Sequence, residues 1–168
     1  MTSANASALS RRVRVDPLPR DGLDVTVEAS VEERATLAAF NDLVALNRLK
    51  AVFQLHPLAN GQVRVVGSLQ ADVVQRCVVT LDPVPARIDA PISVDFAPDG
   101  QEEGVDEDED APEPIIEGMI DLGQVASEFL TLNLDPYPRK EGATFEAPAD
   151  IDDVETRASP FKRLAEKN

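Results

Sequence analysis

From Val63 to Leu81 the apolar residues fall on odd positions, including Val65, Leu69, Ala71, Val73, Cys77 and Val79. Arg64, Ser68, Gln70, Asp72, Arg76 and Thr80 occupy the even ones. A period of two with one apolar face predicts a strand half buried against a core. The run is long for a single strand, so a bend at Gly67 or a break near Asp72 is expected. A second run carries its apolar phase on Ile88, Ala90, Ile92, Val94 and Phe96. Between the two, Asp82 to Val84 is expected to turn, because Pro83 fixes φ and lacks a backbone donor. Pro91 lacks a donor as well, which puts the second strand at a sheet edge or gives it a bulge.

The same reading extends along the chain. Leu23, Val25 and Val27 alternate with Asp24, Thr26 and Glu28 as a short strand. Ser30-Val31-Glu32-Glu33 is a capping box that opens a helix to about Asn41, with Leu37, Ala38 and Phe40 turned to the sheet. A further strand covers Leu49 to Leu55, while Val44 to Asn47 fits either a helix tail or a loop. Asn60-Gly61 then supplies a tight hairpin turn. Ile115 and Ile116 suit a short strand, and Asp121 caps a helix to about Leu132. Its apolar stripe is Leu122, Val125, Ala126, Phe129 and Leu130. Asp135-Pro136-Tyr137-Pro138-Arg139 ends that helix and runs extended.

Charge divides this picture. The formal net charge is −15, yet Ile88 to Pro138 holds 15 acidic residues and no Lys or Arg. The remaining chain balances 16 acids against 16 bases. Pro98 to Pro114 therefore reads as a disordered acidic loop, too self-repelling and too poor in apolar residues to pack. With aromatic content at 4% and no Trp, the core must be aliphatic. A single Cys excludes an internal disulfide, and neither a signal peptide nor an apolar run of membrane-spanning length is evident. A cytoplasmic protein with no membrane association is expected.

Candidate chemistry is sparse. Cys77 lies by phase on the apolar face of its strand and reads as a buried structural thiol, with no base placed to ionise it. His56 is the sole histidine. The run Asp106 to Asp110 lacks the spacing of a calcium loop, and no glycine-rich phosphate cradle or Gly-x-Ser-x-Gly is present. The reading is a protein that is not an enzyme, with no cofactor, no metal and no small-molecule substrate. Basic residues cluster at Arg11, Arg12, Arg14 and Arg20, and again at Lys162, Arg163 and Lys167, as candidate phosphate contacts. The acidic loop suits a basic protein instead.

An ordered set of segments carries a resemblance. It comprises Val63 to Phe96, an acidic gap, Ile120-Asp121-Leu122 with its helix, Leu132 to Arg139 with two prolines, and Pro160-Phe161-Lys162-Arg163-Leu164. Together these resemble the YceD family, the large ribosomal RNA subunit accumulation proteins. The resemblance implies a factor that supports accumulation of large-subunit ribosomal RNA, in a family for which no catalytic activity is established. The partner it implies is a ribosome assembly intermediate. Matching positions nominate Arg76, Asp82, Pro83, Asp121, Pro136 and Arg139 as partner-binding residues. Many members carry a Cys where this chain has Val74, and more after the prolines, so a metal role proposed for Cys-rich relatives does not transfer.

The expected architecture is α+β, an antiparallel, strongly twisted sheet of five or six strands with two packed helices. A barrel-like curl is the alternative to an open sheet. Residues 1–10 are expected to be disordered, 11–140 to form one domain, and 141–168 to be a flexible tether with a short helical motif. In that motif Ser159 caps and Pro160 opens a turn, with Phe161 and Leu164 as a docking face. Two functional alternatives stand: a factor contacting ribosomal RNA, and an acidic chaperone for a basic ribosomal protein.

Overall fold

The computed structural model describes residues 8–100 and 111–144. Its centre is a five-stranded sheet in the order β2-β3-β4-β5-β6. The strands are β2 (Leu23–Glu28), β3 (Ala45–Pro57), β4 (Val63–Arg76), β5 (Pro83–Pro98) and β6 (Glu113–Ile115). Neighbours run antiparallel except β6, which lies parallel to the end of β5, pairing Phe96 with Glu113. A separate antiparallel ribbon joins β1 (Arg12–Arg14) to β7 (Met119–Asp121). The sheet is open, so the α+β expectation holds and the barrel-like alternative does not.

Alternation decides which face is covered. Leu49, Phe53, Leu55, Val65, Leu69 and Ile92 project to one side and are buried there. Arg64, Gln70, Asp89 and Asp95 project to the other, where Arg64 and Asp95, directly opposed, share two bonds of 2.7 Å. The helix α2 (Leu122–Leu132) packs across the apolar face, touching β2, β4 and β5. Its expected stripe is borne out: Leu122, Val125, Ala126 and Leu130 are buried. The helix α1 (Val31–Phe40) rests on β3 and starts at the expected capping box, Ser30 accepting from the Glu33 amide and Glu33 from that of Ser30. Only Leu37 of this helix is fully buried. Phe40, expected against the sheet, is 79% exposed in the last turn.

Several strand boundaries differ from expectation. The strand β4 is continuous and neither bends away nor breaks, because β3 pairs with it from Ala45 to Pro57. Gly67 is what permits this. A Cβ there would sit 1.9 Å from the Val52 carbonyl oxygen, so only a residue without a side chain lets the two backbones approach. Val44 to Asn47, ambiguous in sequence, mostly belongs to β3, with a register shift between Leu46 and Arg48. The turn expected at Asp82 to Val84 lies earlier, at residues 77–82, and Pro83 opens β5 opposite Arg76. A proline is tolerated at the first residue of a strand. Pro91 stands where β5 has β4 on one side and no strand on the other, the edge position expected of it.

Leu9 falls in the stretch read as disordered, yet its side chain is fully buried. It passes close to Gly123, whose absent side chain leaves room for Leu9, Ser10 and Arg11. Glu113 and Pro114 likewise leave the expected acidic loop to form β6. The centre of that loop, 101–110, lies outside the described residues. So does the tail with Phe161 and Leu164 and its basic cluster Lys162, Arg163 and Lys167.

Candidate functional site at the hairpin end

At the tip of the β4–β5 hairpin the backbone closes by a bond from the Cys77 amide to the Asp82 carbonyl, 2.8 Å. Within it the Leu81 amide donates to the Cys77 carbonyl at 3.0 Å, a single helical turn that is not continued. To reverse direction Leu81 adopts φ of 64°, in the left-handed region that favours glycine. The segment after α2 then folds onto this loop. The Val78 amide donates to the Pro138 carbonyl at 2.9 Å, and the Gln75 side chain to the Asp135 carbonyl at 2.8 Å. The Lys140 ammonium reaches Asp82 at 3.1 Å.

Cys77 is the hub of this docking. It sits just past β4, not on the strand face where its phase placed it, and its thiol is fully buried under the loop. Its Sγ accepts from the amides of Val79, Thr80 and Lys140, each at 3.4 Å. These donors, the Lys140 amide foremost and the Thr80 hydroxyl next, pull the thiol down to about 6. Burial pushes the other way and is outweighed by these hydrogen bonds. Ionisation needs no base here, since backbone N–H groups aimed at sulfur favour the thiolate directly. The side chain of Asp82 is held below the usual carboxylate range by Lys140 first and by the Thr80 hydroxyl second.

Five of the six nominated positions therefore converge. Arg76, Asp82 and Pro83 frame the loop, and Pro136 and Arg139 belong to the strap that covers it. Asp121 stands apart, at the opposite end of α2, an 11-residue helix that spans about 16 Å. There it caps the helix through the Gly123 and Gln124 amides and also accepts from Ser10 and the Arg11 amide. Burial raises its carboxyl, but these four donors outweigh that and leave it below the usual range.

The exposed groups at the hairpin end form a coherent surface. Val78, Leu81 and Tyr137 are exposed there, Leu81 at 64% and Tyr137 at 72%. Arg76 and Arg139 flank them and, among the described residues, have no ion-pair partner. Sequence reasoning found the arginines but put Leu81 on the apolar phase of the strand, and it gave Val78 and Tyr137 no contact role. Arg11, nominated for phosphate, instead makes a two-point ion pair with Glu33 at 2.7 and 2.9 Å. Arg12, Arg14 and Arg20 remain exposed. Among the described residues no group of three His, Cys, Asp or Glu is placed to hold a metal ion. No helix among them is long and apolar enough to cross a membrane.

A family model described as large ribosomal RNA subunit accumulation protein YceD matches residues 65–166, which includes the whole hairpin end and its strap. No curated protein and no solved structure matches the chain.

Proposed function

The chain belongs to the YceD family, and from that premise we propose that it is a non-enzymatic, cytoplasmic factor that supports accumulation of large-subunit ribosomal RNA by binding an assembly intermediate. The observation that carries this reading is Leu81. A leucine held at φ of 64° and left 64% exposed costs backbone energy while most of its side chain stays in solvent. Such strain persists where the surrounding structure enforces it and is concentrated at functional surfaces. Leu81 with Val78 and Tyr137 offers an apolar contact, and Arg76 and Arg139 offer charge to a phosphate or carboxylate beside it. Asp82, Pro83 and Pro136 serve that surface by shaping the loop and strap, while Asp121 acts at a distance by seating α2.

Deleting the gene is expected to lower the ratio of large- to small-subunit RNA, and the intact gene to restore it. A gene carrying Arg76→Glu with Arg139→Glu is expected to yield folded protein without restoring the ratio. An unchanged ratio in the deletion strain under all growth conditions would sink the assembly role. Full rescue by the double variant would remove the hairpin end from it.

A second reading has its own support. The acidic excess between Ile88 and Pro138 favours a basic partner protein over RNA on that side of the molecule. A chaperone for a basic ribosomal protein serves the same accumulation of the large subunit, since unassembled basic proteins aggregate with RNA unless their charge is screened.

A further inference from the structure

Away from the hairpin tip, a groove of about 900 Å³ lies between α2, the end of β5 and the β6–β7 segment. Its floor and rim include apolar side chains that the described residues leave exposed or half-buried. Leu132 is 76% exposed, Ile116 is exposed, and Phe129 and Val94 are half-buried. Around them stand five carboxylates, those of Asp95, Glu113, Glu117, Asp121 and Glu128. Two are already committed: Asp95 to Arg64, and Asp121 to the cap of α2. Glu113, Glu117 and Glu128 have no cationic partner among the described residues. Of the two arginines on the groove, Arg64 is neutralised by Asp95, which leaves Arg12 against three carboxylates without a cation, of which Glu128 accepts a hydrogen bond from the Gln124 side chain at 2.9 Å.

We infer that this groove is a docking site for an extended, arginine- or lysine-rich segment of a partner protein, with apolar residues interleaved among its charges. Each element of the occupant answers a feature of the groove. Three carboxylates without cations call for positive charge. Leu132, Phe129, Ile116 and Val94, left at least partly open by the described residues, call for apolar side chains between the charges, which a purely cationic chain would leave unmet. Nucleic acid is disfavoured, because its phosphates would face the same carboxylates. The inference rests on the second reading above for the partner's origin. It locates the acidic chaperone activity in a formed groove, on the carboxylates of Glu113, Glu117 and Glu128.

The test uses the full chain and a labelled synthetic peptide of alternating arginine and leucine, with an all-lysine peptide of equal charge and a single-stranded RNA as comparators. The alternating peptide is expected to bind most tightly and the RNA least. Glu113→Lys with Glu117→Lys and Glu128→Lys should weaken the peptide by roughly tenfold or more. Leu132→Asp should selectively weaken the alternating peptide over the all-lysine one. Neutralising Asp106, Asp108 and Asp110 to Asn should weaken the peptide less than the triple exchange in the groove does. All three exchanges in the first variant are at exposed positions, and unchanged circular dichroism would show the fold kept. Equal binding by the two peptides, or a larger loss from the run than from the groove, would overturn the proposal. So would RNA binding that displaces the peptide, or tighter peptide binding after removal of residues 159–168, which would assign the groove to the chain's own tail. Peptide binding in the groove without any effect on ribosomal RNA in cells would keep the site and refute the assembly role instead.

Discussion

At the scale of single residues, Cys77 couples backbone geometry to charge. Three amides converge on its sulfur, one contributed by a segment 63 positions away. Folding therefore favours the thiolate, with the folded value about 6 against an ordinary thiol near ~8.5. The sign follows from the depressed value. The contribution to stability is fully present above the unfolded value and fades as pH falls towards the folded one. The urea midpoint of the native chain should thus climb from pH 6 to about 8.5 relative to that of Cys77→Ala. Parallel curves for the two proteins across this window would show that the sulfur stays protonated and the strap is held by other bonds. Hydrogen bonds to a charged acceptor are stronger than neutral ones, so ionisation of Cys77 should tighten its bond to the Lys140 amide, beside the ion pair of Lys140 with Asp82.

At the scale of elements, the long β3–β4 pair depends on one missing side chain. Gly67→Ala would drive a methyl group into the Val52 carbonyl, where neither backbone can yield without breaking the ladder. We expect a loss of about 3 kcal/mol or more, read as a lowered thermal midpoint; a variant as stable as the native chain would mean the strands can part locally at little cost. Sequence alternation made most elements legible, down to the Ser30 and Asp121 caps, because period and capping chemistry are local. It misplaced the hairpin turn because Pro83 suits both a turn and a strand start, and only the register with Arg76 decides between them. It missed the strap entirely, since a bond from Val78 to Pro138 leaves no local pattern. Prolines at 83, 85 and 91 share one phase of β5, so the donors they lack belong on the side away from β4. That blunts a free edge against pairing with other chains.

At the scale of the whole molecule, the matched region and the folding unit do not coincide. The match begins at residue 65, inside β4. Before it lie β1, β2, α1 and β3, along with the buried side chains of Leu9, Val27, Leu37, Leu49, Phe53 and Leu55. Without them β4 would lose one of its two hydrogen-bonded neighbours, and β7 would lose β1. The helix α2 would also lose the chain that packs at Gly123. What remains is a two-stranded hairpin with a three-residue parallel addition and one helix, with the core side chains of β4 stripped of Leu49, Phe53 and Leu55. A protein comprising residues 65–168 alone is therefore expected to show no cooperative thermal transition and to aggregate through the bared edge of β4. A sharp, reversible transition in that fragment would refute this dependence. The hairpin end that carries the proposed contact is thus built inside the family region but held rigid from outside it. Val65, Leu69 and Val73, which fix the hairpin's direction, are buried on the same sheet face as Leu49, Phe53 and Leu55. A destabilising change in β3, remote from every nominated residue, should weaken partner binding only as far as it unfolds the chain.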